Sequence, residues 1–407
     1  IIILSALFLI YKSDNFMFEI PIKVSKIIYK ETGIDVYPIW RKATGVFFYL
    51  EDEINFLRPK RNLLDGGLPV YNLELSSSAL AHLDNVSKIS VNRGYMDSNL
   101  NTPVKGDLQA NGENYKIKVE LHGDVISNWN GNLKSYKINI REDNRSLNRI
   151  SKFNLVLYEE RLLKSKFTGI LAKEFNLMDI RDDMIILKIN GVIQGVYSME
   201  EHLDYTFLEY NGCAGCEIIR NLDNFVEDHP QINENRNGIF FNAAHVTPFD
   251  YEISNVDLSK SEMNVPKSLY HVDNLFDAIE NKDIKGVVSF FDSDQLSSIE
   301  ALRMIIGSSH FVAGDNIKLV YRTTNGKFEV VPQNRAFNDL VLERGSFDHY
   351  INSFFGVPVE SFDSIDQLFR LVAQDDNIRN LRNKKLYNFI LHNNASKELD
   401  SLFEKYV

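Results

Sequence analysis

The chain has 407 residues, 44% of them hydrophobic and 12% aromatic, enough to bury the cores of two or three domain-sized units. Its 56 acidic against 45 basic side chains leave a net charge of -11, which argues against a nucleic-acid-binding protein, because neutralising phosphates needs a basic face. The nine histidines include no pair at the i,i+4 spacing that sets two imidazoles on one helical face, so a histidine metal centre is not expected.

In chain order, "IIILSALFLIY" (Ile1 to Tyr11) is almost wholly apolar but shorter than the roughly 20 residues a membrane helix needs. Lys12, Ser13, Asp14 and Asn15 end the run abruptly, so residues 1–15 read as the tail of a signal peptide or a membrane anchor. Residues 16–67 mix aromatic, charged and β-branched types without a clean period and read as a stalk or accessory segment. A domain begins near Leu68, where Val70, Leu73 and Leu75 suggest a strand and Ser76 to Leu83 a capped short helix.

Two alternating strands follow. In "YKIKVELHGD" the apolar set is Ile117, Val119 and Leu121, and in "LKSYKINI" it is Tyr136, Ile138 and Ile140. Lys134 shares the apolar phase, so it either snorkels at a sheet edge or sits in a cleft beside an anion, whereas Lys137 takes the other face. "EERLLKSKFTGILAKEF" predicts a helix with Leu163, Phe167, Ile170, Leu171 and Phe175 on one face, expected behind the first sheet. "MIILKINGVIQGVYSMEEH" gives two strands around Asn190-Gly191, a type I′ turn dipeptide, and ends on Glu200, Glu201 and His202.

Residues 211–265, rich in Asn, Asp and turn formers, read as an insertion over the surface. It opens with the chain's only cysteines, Cys213 and Cys216, in "NGCAGCEII". With no second pair to complete a zinc site, and no strand before and helix after as in a redox dithiol, this reads as a turn. Helices are expected in "LYHVDNLFDAIENKD" and, started by Asp292, in "FDSDQLSSIEALRMIIG". "AGDNIKLVYRTTNGKFEVVPQNRAF" (Ala313 to Phe337) predicts a hairpin flanked by Asp315-Asn316 and Gln333-Asn334, and residues 346–407 read as a helical terminal part.

The order of these elements, with "LPVYNLELS", "VELHGDVISNWNGNLKSYKINI", "LKINGVIQGVYSMEEHLD" and "IGSSHFVAGDNIKLVYRTTNGKFEVVP", resembles the spore-coat CotH kinase family of atypical protein kinases, in its membrane-linked branch. Gly123-Asp124, Lys134-Ser135-Tyr136, Asn190-Gly191, Gly195, Tyr197, Glu200-Glu201-His202, Asp204, His310, Asn316, Tyr321, Gly326-Lys327 and Pro332 fall in register with that family's pattern. The resemblance implies an α+β, kinase-like bilobed fold, with a mixed or antiparallel β-rich N-lobe and a helical C-lobe. On that reading 68–345 is the kinase-like domain and 346–407 its helical C-terminal part.

The resemblance further implies ATP and Mg²⁺ as cofactors. Lys134, Lys137 and Glu201 would be nucleotide-binding, Asn316 and Asn334 would stand at the metal positions, and Asp315 and His310 at catalytic ones. Phosphoryl transfer is mostly positioning and charge neutralisation, which is why oxygen ligands at both ends of one hairpin suit it. Asn334 stands where the family has a metal-binding Asp, Ala336 replaces a further Asp, and many relatives place the lysine at the position of Leu133. An active Ser/Thr kinase acting on a protein partner, weakened by the lost carboxylate, is therefore one expectation. A pseudokinase or scaffold of the same fold is another, and a membrane-tethered interaction module a third. In each case the chain is expected to be membrane-associated through its N-terminal segment, or extracytoplasmic, and of bacterial type.

Overall fold

Strand β1 (Val70–Leu75) has a partner on each edge, antiparallel β2 (Val104–Ala110) and parallel β6 (Asp182–Ile189), and this double pairing closes a barrel. The computed structural model describes residues 67–93, 96, 99–123, 128–141, 146–157, 162–221, 251–253, 267–306, 317–332 and 367–392. Ile1 to Tyr11, His310, Asp315, Asn316 and Asn334 lie outside these residues. Among the described residues no helix is long and apolar enough to cross a membrane. The chain forms two units, the first comprising 67–157 and 183–200 and the second the remaining described residues.

The first unit adds β3 (Glu113–Leu121), β4 (Tyr136–Ile140), β5 (Lys152–Val156) and β7 (Val192–Glu201), in the closed order β1-β2-β3-β4-β5-β7-β6. Alternation fills the interior: Leu73, Leu108, Ile117, Val119, Ile138, Phe153, Leu155 and Leu187 share one buried cluster. The Asn-Gly turns of the β2–β3 and β6–β7 hairpins need positive φ, at Asn111 (53°) and Gly112 (80°) and at Asn190 (49°) and Gly191 (80°). The Asn190 side chain also accepts from Leu75 N–H at 2.8 Å and donates to Leu75 C=O at 2.9 Å, extending the β1 edge by one amide.

Helix α1 (Ser77–Arg93) crosses between β1 and β2. It runs ten residues beyond the short helix expected from the sequence, because Ala79, Leu83 and Val86 continue one apolar stripe into the barrel's cluster. Ser76 caps it, its hydroxyl accepting from Ala79 N–H at 3.1 Å.

The second unit holds an antiparallel sheet in the order β11 (Lys327–Val330), β10 (Lys318–Arg322), β8 (Glu217–Asn221), β9 (Tyr251–Ile253). Its helices include α2 (Leu162–Glu174), α3 (Tyr205–Tyr210), α4 (Leu269–Glu280), α5 (Ile284–Ser289), α6 (Ser293–Ile306), α7 (Gln367–Val372) and α8 (Asp376–His392). Asp292 starts α6, its carboxylate accepting from the N–H groups of Asp294 (2.9 Å) and Gln295 (3.0 Å), and Leu296, Ile299, Leu302 and Ile306 face inward.

Two expectations change. Helix α2, expected with the first sheet, places Leu171, Ala172 and Phe175 in the core of the second unit with α6 and α8. The stretch read as the start of a surface insertion is instead an interior strand, since β8 lies between β10 and β9 with Ile218 and Ile219 both buried.

Inside the second unit α6 and α8 share a buried ionic cluster. The Glu300 carboxylate, fully buried, accepts from Arg303 Nε (3.1 Å) and Nη2 (2.8 Å) and lies 3.9 Å from Arg382 Nη1. Burial pulls the Arg382 pKa down to about 10, against the opposing pull of Glu300. Replacing Glu300 with Ala removes the carboxylate both guanidiniums face and is expected to cost about 3–5 kcal/mol of stability. Chemical denaturation followed by circular dichroism checks this, and a loss below about 1 kcal/mol, the range of exposed pairs, would contradict it.

Candidate functional site

Lys134 enters β4 from a loop that the sequence folds tightly against α1. Gly123, with φ of 95°, has the Asn128 side chain lying where a Cβ would stand, 2.0 Å from Nδ2, so no other residue fits there without displacement. Trp129, fully buried, donates its indole N–H to Gly123 C=O at 3.0 Å, and Ser87 of α1 donates its hydroxyl to Trp129 C=O at 2.6 Å. Ser135 N–H donates to Asn128 C=O at 2.6 Å and Leu157 N–H to the Ser135 hydroxyl at 3.1 Å, so the loop is anchored on both sides of Lys134.

The lysine itself is only 8% exposed. Its Nζ donates to Asp84 Oδ1 of α1 at 2.9 Å and to Gly131 C=O at 2.9 Å. Of the two alternatives its phase left open, Lys134 lies beside an anion, and that anion is the protein's own carboxylate. An ammonium has three N–H donors, and two are used among the described residues. Tyr136 packs beside this pair, and burial first, the Asp84 charge second, raise its pKa, keeping the phenol neutral.

Lys137 takes the opposite strand phase and has its own counter-ion, Glu120 Oε1 at 2.5 Å. Directly opposite Lys137 on β5 stands Asn154, whose Oδ1 is buried with no hydrogen bond to the described residues. His122 follows directly after β3, and burial, with a smaller push from Lys137, lowers its pKa to about 4.

Glu201 closes β7 within the second unit. Its buried carboxylate accepts from Arg181 Nε at 2.8 Å, from Arg181 Nη2, and from Arg181 backbone N–H at 3.3 Å, while its own N–H donates to Arg181 C=O at 2.9 Å. Burial raises its pKa against the pull of Arg181, and the Arg181 guanidinium lies 4.4 Å from the Tyr210 ring centroid. Of the residues singled out from the sequence, Lys134, just before β4, and Lys137, on it, therefore hold separate carboxylates, and Glu201 is clamped by an arginine. Asp84 was missed by the sequence reading, which ended the helix at Leu83, although Val86 and Ser90 continue its inward stripe.

The His122 shift has a pH consequence. An unfolded imidazole titrates near 6.5, so the contribution of His122 to stability is full above that pH and is lost as the pH falls toward 4, by on the order of 3 kcal/mol. Urea midpoints at pH 7.5 and 4.5 are expected to fall further apart in the wild type than in His122→Gln, and equal shifts would contradict the assignment.

The family model described as CotH kinase protein matches residues 119–402, more than half of the chain. The match starts within β3, so Lys134, Lys137 and Glu201 lie inside it and Asp84 before it. A search of curated proteins finds no match. With a match of this extent, the chain belongs to the CotH kinase family.

Proposed function

We propose that this chain is a kinase-like protein of bilobed plan that binds ATP phosphates through Lys134 and passes phosphate only slowly to a Ser or Thr hydroxyl of a protein partner. The observation that carries the reading is the Lys134 ion pair with Asp84. In protein kinases a strand lysine that contacts phosphates is held by a carboxylate from a neighbouring helix, and the loss of either partner misplaces the lysine. Here a nearly buried lysine is held by a helix carboxylate at 2.9 Å and retains one donor among the described contacts.

Bound Mg²⁺–ATP would supply the phosphoryl group and the charge that the metal neutralises. Asp84 orients the ammonium, Gly131 C=O fixes its second donor, and at 8% exposure little of the aliphatic stem meets water. The metal donor set expected from the sequence is Asn316 and Asn334, two amide oxygens, which coordinate a hard cation without adding negative charge. Slow transfer would follow from that deficit, with Asp315 and His310, at the positions the family resemblance makes catalytic, as the groups to take a proton. Complete absence of transfer with retained ATP binding would make the chain a pseudokinase.

Calorimetric titration of ATP with and without Mg²⁺ tests this. Lys134→Ala is expected to weaken ATP binding at least about tenfold, or about 1.4 kcal/mol, whereas Lys137→Ala leaves it near the wild-type value. Asn334→Asp is expected to make binding more Mg²⁺-dependent, since it restores one charged ligand at little change in volume. Unchanged binding in Lys134→Ala would overturn the lysine's role, and equal Mg²⁺ dependence in Asn334→Asp would overturn the metal position. A radiolabel transfer assay on a Ser-rich protein then separates slow kinase from pseudokinase, and brisk transfer by the wild type would contradict the weakening.

A further inference from the structure

Cys213 and Cys216 form a disulfide in the turn between α3 and β8. We propose that this bridge is a permanent brace of the β10–β11 hairpin, closed as the protein folds in an oxidising compartment, and not an exchanging redox centre. The inference does not depend on nucleotide binding.

Position argues against exchange. A reactive C-x-x-C thiol is activated at a helix N-terminus or beside a cation and is reachable by its partner thiol. Here the order is reversed. Helix α3 precedes the pair, Cys213 N–H donates to Leu208 C=O at 2.7 Å, and a strand follows. The two cysteines are 4% and 6% exposed, in a cluster with Phe207, Leu208, Ile218, Val320 and Val331.

Three contacts tie this turn to the hairpin. Val320 of β10, and Val331 just past β11, pack in the cysteines' cluster. Strand β8, which leaves the turn, pairs with β10 through Glu217↔Tyr321 and Ile218↔Val320. Gly215 C=O, inside the bridged turn, accepts from the Thr323 hydroxyl at 3.0 Å in the turn of the hairpin itself. Closing the bridge removes chain freedom from the unfolded state at the point where both strands dock. Closure converts two thiols to one S–S bond, and the two electrons and two protons pass to a disulfide-bearing oxidant of the compartment. Such bridges persist in extracytoplasmic proteins and are kept reduced in most cytosols.

Two measurements on the full chain test this. Protein taken from its source cells into acid, unfolded and treated with N-ethylmaleimide, is expected to carry no adduct before reduction and two after it. Hydrogen exchange is then compared between the oxidised wild type and Cys213→Ser/Cys216→Ser. Amides of Lys318–Val330 are expected to exchange about tenfold faster in the variant, with those of Val104–Leu121 unchanged. If the double variant does not fold, the wild type reduced in its folded state by a phosphine serves the same comparison. Two adducts on unreduced protein would overturn the compartment. Equal hairpin exchange would overturn the brace, and rapid equilibration with glutathione would show an exchanging centre.

Discussion

An ammonium taken almost wholly out of water must be met by an anion or lose its charge, and Lys134 is met by Asp84. Much of the first unit's design follows from bringing those two groups together across 50 residues of sequence. Helix α1 has to lie along the barrel, which its Ala79, Leu83 and Val86 stripe ensures. The loop ahead of β4 has to hold still, which Trp129, Ser87 and the glycine at 123 ensure. The barrel has to close so that β1, which launches α1, is fixed on both edges. Each requirement is met by ordinary packing and backbone pairing, and the ion pair is their joint product.

The second unit solves a different problem. Its sheet carries a hairpin whose flanking sequence holds Asn316 and Asn334, and it stands on a buried base of aliphatic residues, a disulfide and, deeper in the helices, an ionic cluster around Glu300. A rigid scaffold of this kind is what phosphoryl transfer asks of a protein, because the chemistry is carried largely by position and charge. On the proposed function, the charge half is where this chain would fall short. On that reading, Asn316 and Asn334 would offer the metal two amide oxygens and no carboxylate.

The legible parts of the sequence were those governed by local periodicity. Alternation in "YKIKVEL" and "YKINI" marked β3 and β4, Asn190-Gly191 marked the β6–β7 turn, Asp292 marked the start of α6, and the β10–β11 hairpin could be read outright. Strand β2 went unread although Asn111-Gly112 signals its turn, because Lys105, Asp107 and Gln109 dominate a strand whose buried residues are Leu108 and Ala110. Strand β8 was hidden for the opposite reason. Ile218 and Ile219 are both buried, so no alternation separates them from a loop among turn formers. The partner of Lys134 was not legible because no local rule links a helix residue to a loop lysine 50 positions later. The same holds for Lys137 with Glu120, which only strand register reveals.

An ATP acyl phosphate, which acylates the lysine amine nearest the bound phosphates, followed by peptide mass spectrometry, reads the central claim directly. The account predicts acylation at Lys134 that free ATP competes away. Acylation at Lys137 in its place, or labelling that ATP does not compete, would contradict it.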